Sequence, residues 1–225
     1  MTTFNDPRPI GILGGTFDPV HYGHLRPALE VLEAIDLAVV RFIPCRLPSH
    51  RGQPLATPEQ RLILLRLAVA NQPGFLVDDR ELHRDGPSYM VDTLASLRTE
   101  VGATPLCLLL GMDAFAGLTT WRHWQEIPEL AHLVVTNRPD AGPPLSTTLN
   151  ELVEQRKIRQ PEALRECPAG GILFQSVTQL GISATRIRQL LAQGRSPRYL
   201  LPEAVWNCIR KQGLYRPPLA SACEE

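Results

Sequence analysis

The chain has 225 residues, with 23 Lys plus Arg against 23 Asp plus Glu and a hydrophobic fraction of 44%. This length suits one globular domain with a sizeable core. The charge balance excludes a global pull on nucleic acid or an anionic membrane, and apolar runs such as 106–110 are far too short to span a bilayer.

The N-terminus, M-T-T-F-N-D-P-R-P, lacks the basic-then-apolar layout of a signal peptide. The five cysteines are scattered without a C-x-x-C and read as reduced thiols rather than a zinc site or a disulfide framework. Together these features predict a cytoplasmic protein with no membrane partner. Nearly all cations are arginines, with lysines only at Lys157 and Lys211. That bias suits phosphate recognition, and coding bias would produce it equally.

In chain order, the apolar run 10–13 stops at Gly14-Gly15, the pattern of a strand ending in a tight turn. A helix is expected over 22–34, with Leu25, Ala28, Leu29 and Leu32 at helical spacing. A strand over 39–43 ends at Pro44. Thr57, Pro58 and Gln60 form a T-P-x-Q helix start, leading to Leu62, Leu65 and Val69. A third strand is predicted over 75–77, then a helix capped by Ser88 and carrying Val91, Leu94 and Leu97. The run 106–110 has no polar alternation, as in a strand covered on both faces, and is the expected centre of the sheet.

Trp121 and Trp124, three apart, are expected on one helical face, with Trp124 in the core. A strand over 133–136 is followed by a loop, an exposed helix across L-N-E-L-V-E-Q-R-K-I and a last strand over 172–175. Two short helices close the pattern, one capped by Ser183 and one starting near Pro202. The alternation predicts a doubly wound α/β fold with a mostly parallel sheet. One domain is expected over 8–216, with a helical part from 183 folded over the carboxyl edge of the sheet and a frayed tail over 217–225.

The stretch G-G-T-F-D-P-V-H-Y-G-H, residues 14–24, carries the chemistry. It is neither a Walker loop nor a dinucleotide fingerprint. Its glycines let the backbone approach a phosphate closely, and Thr16 adds a hydroxyl. His21 and His24 are three apart at a helix start, so they share a face beside an N-terminus that favours anions. That pairing suits charge developing on phosphoryl oxygens; a metal pair and a structural pair are the competing readings. No further histidine, cysteine or carboxylate stands at metal-ligand spacing, so no protein-only metal site is expected.

This stretch closely resembles the signature of the HxGH nucleotidyltransferase superfamily, and from Ile10 to Tyr215 the chain resembles the bacterial nicotinate-nucleotide adenylyltransferases. The resemblance implies a Rossmann-like nucleotidyltransferase fold. It implies transfer of AMP from ATP to nicotinate mononucleotide, with Mg²⁺ carried by the ATP phosphates. His21 and His24 would hold those phosphates and stabilise the transition state. Gly14, Gly15, Thr16, Phe17, Gly111, Asp113, Ile182, Thr185 and Arg188 would complete the ATP site.

In I-S-A-T-R-I-R, residues 182–188, the arginines are two apart and cannot share a face, so one can point at the site while the other is a surface charge. The resemblance assigns Thr185 and Arg188 to the phosphates. Ala184 stands where such enzymes carry a second serine, and loses one hydroxyl.

For the acceptor, the resemblance implies His50, Arg51, Tyr89, Met90, Trp121, Arg122 and Arg138. Met90 replaces a threonine, Arg122 an aromatic residue and Arg51 a lysine. Trp121 would stack on the pyridine ring. Acceptors bearing nicotinamide or phosphopantetheine are the enzymatic alternatives, and a nonenzymatic nucleotide-binding regulator is the other. Homo-oligomerisation is left open.

Overall fold

The computed structural model describes residues 7–48, 52–137 and 145–216. The tail from Pro217 lies outside the described residues. Seven strands among these residues form one sheet: β1 (Ile10–Gly15), β2 (Val39–Pro44), β3 (Phe75–Val77), β4 (Leu106–Gly111), β5 (His132–Asn137), β6 (Lys157–Ile158) and β7 (Ile172–Ser176). Their order is β3-β2-β1-β4-β5-β7-β6, and every pairing is parallel. The run without polar alternation is therefore the central strand, as expected. Two-residue β6, at one edge, is an addition to the predicted strands.

The helices are α1 (Tyr22–Ala34), α2 (Pro58–Val69), α3 (Met90–Val101), α4 (Met112–Ala116), α5 (Ile127–Leu130), α6 (Thr147–Arg156), α7 (Ala184–Ala192) and α8 (Glu203–Gln212). Side chains of β4 alternate between two cores, which is what a doubly wound sheet requires. Cys107 and Leu109 pack with Leu25, Val31, Leu64, Ile187 and Ile209 from α1, α2, α7 and α8. Leu106, Leu108 and Leu110 pack with Leu94, Phe115, Ile127 and Leu149 from α3, α4, α5 and α6.

Local chemistry sets the helix starts. Thr57 Oγ1 accepts the Gln60 N–H while Gln60 Oε1 accepts the Thr57 N–H, the reciprocal box that its sequence encodes. Ser183 caps α7 through the Arg186 N–H, and α8 follows Pro202.

Four expectations are corrected. On α1, fully buried Val31 joins Leu25 and Ala28 in the core with Leu32 packed against it, whereas half-buried Leu29 is not part of that core. The helix across 147–156 is not fully exposed, because Leu149 and Val153 are buried. α3 begins at Met90 with Tyr89 before it, and Ser88 is not its cap; the Ser88 hydroxyl instead accepts the Arg46 N–H across the loop. The two tryptophans do not share a helix. Trp124 opens a 3₁₀ turn (Trp124–Glu126) after His123 in the left-handed region at φ 50°, and α5 restarts around Pro128, a residue that fits only a first turn. Trp121 and Trp124 are both half-buried against the same core.

Candidate active site

The chain leaves β1 for two strands on one side, then crosses to β4 on the other. The carboxyl ends of β1 and β4 therefore diverge, and a crevice opens between them. A cavity of about 780 Å³ occupies this place. Gly14 and Gly15 end β1 at its floor, and Gly111 ends β4. A Cβ on Gly14 would meet only Met90 Cε, the tip of a flexible side chain, at 2.3 Å, which shows how near the start of α3 lies to the end of β1. A smaller hollow of about 250 Å³ shares Leu13, Gly23, His24 and Gly111 with the cavity and continues towards Thr136 and Gln179.

His21 precedes α1 with an extended backbone, and its N–H donates to His24 Nδ1 at 3.3 Å. With Nδ1 accepting, His24 presents Nε2 as its N–H donor. The two rings stack with centroids 3.8 Å apart, and the Phe17 ring stands edge-on to His24 at 5.1 Å. Burial pushes the His21 imidazole down to about 4, so it is neutral at pH 7. Its Nδ1 is buried with no hydrogen-bond partner among the described residues.

Opposite the histidines stands the start of α7. Ile182, Thr185 and Arg188 line the cavity, whereas Arg186 is exposed. Arg188 donates to the Asp18 carbonyl oxygen at 2.7 Å and to Thr185 Oγ1 at 3.4 Å. On the α3 side, Tyr89, Met90, Trp121 and Arg122 line the same cavity, and the Arg122 guanidinium lies 4.6 Å from the Tyr89 ring centre.

Of the expected site residues, Gly14, Gly15, Thr16, Phe17, His21, His24, Tyr89, Met90, Gly111, Trp121, Arg122, Ile182, Thr185 and Arg188 are thus brought to one cavity. Asp113 is exposed on α4, where its neighbours Gly111 and Ala114 line the wall. His50, Arg51 and Arg138 lie outside the described residues.

Three residues that sequence reasoning passed over hold this arrangement. Fully buried Arg61 on α2 donates to the carbonyls of Thr16, Cys45, Arg46 and Ala56, tying the turn after β1 to the loop after β2. Its only sequence signal is a charge next to Leu64 and Leu65 on an apolar face. Asp18, quoted within the motif but given no role, is buried and accepts the N–H groups of Leu55 and Ala56. Glu81, also buried on the wall, accepts the Thr93 hydroxyl at 2.5 Å, and burial raises its carboxyl above the usual range. Among the described residues no group of three or more histidine, cysteine or acidic side chains could hold a metal.

A cytidylyltransferase-like family model matches residues 12–190, which include both the 14–24 and the 182–188 segments. The chain is 56% identical over 211 residues to the probable nicotinate-nucleotide adenylyltransferase of Halorhodospira halophila, covering 94% of this chain and 97% of that protein. It is 52% identical to the corresponding protein of Methylococcus capsulatus, over 92% of this chain and 99% of that one.

The chain belongs to the nicotinate-nucleotide adenylyltransferase family.

The fold is shared with a distant solved structure. The Plasmodium falciparum nicotinic acid mononucleotide adenylyltransferase, solved in complex with NaAD, superimposes with a TM-score of 0.70 at 15% identity. The match covers 92% of this chain and 97% of that one. At that identity the likeness speaks for the adenylyltransferase fold alone. Among the described residues, no helix is long and apolar enough to cross a membrane.

Proposed function

We propose that the protein transfers AMP from ATP to nicotinate mononucleotide, giving deamido-NAD and pyrophosphate. The observation that carries this reading is a convergence. His21 and His24, Thr185 and Arg188, Tyr89, and Trp121 come from four separate parts of the chain and line one cavity at the switch point of the sheet. A bare nucleotide-binding regulator would need neither of the last two.

In the reaction, a phosphate oxygen of the mononucleotide attacks the α-phosphorus of ATP. The bond from that phosphorus to the bridging oxygen breaks, and pyrophosphate leaves with the electron pair. Mg²⁺, arriving with ATP, supplies charge neutralisation on the phosphates. The chain's own residues position and stabilise. With Nδ1 accepting the His21 N–H, His24 offers Nε2–H to a non-bridging oxygen, and the stacked His21 ring holds His24 in place. Arg188 and Thr185 hold the outgoing phosphates. The glycines of β1 and the Thr16 hydroxyl bound the triphosphate path, and the smaller hollow accommodates the adenosine end.

For the acceptor, Trp121 presents a flat face to the pyridine ring. Met90 opens α3, where the first N–H groups are not used within the helix and suit a carboxylate. An amide in their place would set a donor against a donor, a mismatch worth about 1–3 kcal/mol. Arg122, engaged with Tyr89, closes the wall rather than standing as a free cation. The four described cysteines are free thiols, which fits a cytoplasmic setting.

The deciding assay is pyrophosphate release from ATP and Mg²⁺ with nicotinate mononucleotide, nicotinamide mononucleotide or phosphopantetheine. We expect the highest kcat/KM for the first. Equal use of acid and amide would overturn the acceptor assignment, and no release with any of the three would overturn the reaction.

A further inference from the structure

The buried Asp18 carboxylate is the meeting point of four chain segments, and the phosphate-binding arginine is one of them. Its Oδ2 accepts the Leu55 N–H at 2.9 Å and its Oδ1 the Ala56 N–H at 3.1 Å. Oδ1 also accepts the hydroxyl of Tyr215 at 2.8 Å, from beyond the end of α8. Arg188 Nη1 lies 3.8 Å from Oδ2 while donating to the Asp18 carbonyl at 2.7 Å.

The backbone on both sides of this carboxylate is unusual. Phe17, just before Asp18, has φ 49°, and Tyr215 has φ 62°. Aromatic side chains seldom adopt the left-handed region, so each conformation persists only because surrounding contacts hold it. After α8 the chain turns through Gly213 at φ 65°, and the Leu214 N–H returns to the Ile209 carbonyl, which delivers Tyr215 onto Asp18. Tyr215 packs, partly buried, against the core shared by α1, α2, α7 and α8. Burial, and then the neighbouring Asp18 charge, raise its phenol well above the usual range, so it stays a hydrogen-bond donor at any working pH.

We propose that Tyr215 is a positioning residue for ATP: its hydroxyl holds the Asp18 carboxylate away from Arg188, leaving the guanidinium available to the phosphates. The inference rests on the reading of this cavity as an ATP site. At 3.8 Å the carboxylate and guanidinium fall short of a direct hydrogen bond. Three donors, two amides and one phenol, hold the carboxylate at that distance. Without the phenol, Oδ1 is less neutralised and freer to move, and a direct Asp18–Arg188 ion pair then competes with the phosphates for the same nitrogen.

The experiment is a double-mutant cycle between Tyr215→Phe and Arg188→Ala, read as KM for ATP and for nicotinate mononucleotide, with thermal melts of each variant. Tyr215→Phe should raise KM for ATP about three- to tenfold, leave the acceptor KM within about twofold, and melt close to the unmodified protein. In the Arg188→Ala background it should change KM for ATP little, because the group it protects is gone. A packing role alone would move both KM values together and would act equally in both backgrounds, and that result overturns the proposal. So does an unchanged ATP KM in Tyr215→Phe, or its unfolding at the assay temperature. A lack of AMP transfer by the unmodified protein would instead count against the reading of the site itself.

Discussion

Gly23, between the two histidines, shows how one side chain is excluded by chemistry on both sides. A Cβ there would lie 2.9 Å from His21 Nδ1 and 3.0 Å from the Ile182 carbonyl oxygen, so any other residue pushes the histidine pair away from α7. Of the pair, His21 is the one whose burial sets its protonation. Folding lowers the His21 imidazole to about 4, against 6.5 in the unfolded chain. Above pH 6.5 neither state binds the proton; between 6.5 and 4 only the unfolded chain does, so stability is lost as pH falls through that window. The loss amounts to about 3 kcal/mol by pH 4. Denaturant titrations from pH 7 to 4.5 should therefore show a shallower decline in His21→Asn than in the unmodified protein. Parallel curves would mean that His21 titrates normally. At His24 the expectation is kinetic. His24→Ala should lower kcat for AMP transfer by roughly 10²–10³-fold, the scale of losing one transition-state donor, in a protein with an unchanged melt. Turnover within threefold would remove His24 from the reaction.

At the scale of single elements, α7 works by facing. Ile187, Leu190 and Leu191 bury one side, which turns Arg188 towards the turn after β1 and leaves Arg186 in solvent. Arg188→Ala should raise KM for ATP about 10- to 100-fold, the worth of a charge-assisted contact. Arg186→Ala should stay within about twofold. Equal effects in steady-state kinetics would show that the phosphates approach from another side. The segment 118–130 behaves differently. Its tryptophans at i and i+3 suggest one helix, yet the chain forms 3₁₀ turns on either side of Trp121 and Arg122. The left-handed His123 frees Trp121 from a helical register and lets it reach the cavity wall beside Tyr89.

Over the whole molecule, one sheet supports two cores and the site at once, so the central strand carries both stability and geometry. Leu108 on β4 is almost fully buried, packs into the core under α3 to α6, and does not line the cavity. Leu108→Ala should cost about 2–5 kcal/mol of unfolding free energy through lost burial and the void left behind. Kcat should remain near normal at temperatures where the variant is folded. A cost below about 1 kcal/mol in equilibrium denaturation would show that β4 is not the packing centre, and a large fall in kcat without unfolding would show that the site lacks independence from this layer.

Much of this was legible in the residues because it depends on short-range rules. The T-P-x-Q box starts α2, Ser183 starts α7, and the unalternating run 106–110 can be satisfied only by a strand with helices on both faces. The cavity-lining groups of 14–24 and 182–188 were legible for a similar reason, since each motif builds its own turn and helix start from adjacent residues. Tertiary structure alone decided the rest. Ser88 has the chemistry of a cap, but its hydroxyl takes the Arg46 N–H, a partner 42 positions away. Arg61 reads as an ordinary helical charge until the fold surrounds it with four carbonyl oxygens. Asp18 and Tyr215 are 197 residues apart, and nothing local to either announces the other. A buried polar group must find whatever partner the folded chain brings within about 3 Å, and that distance is set by how the layers pack.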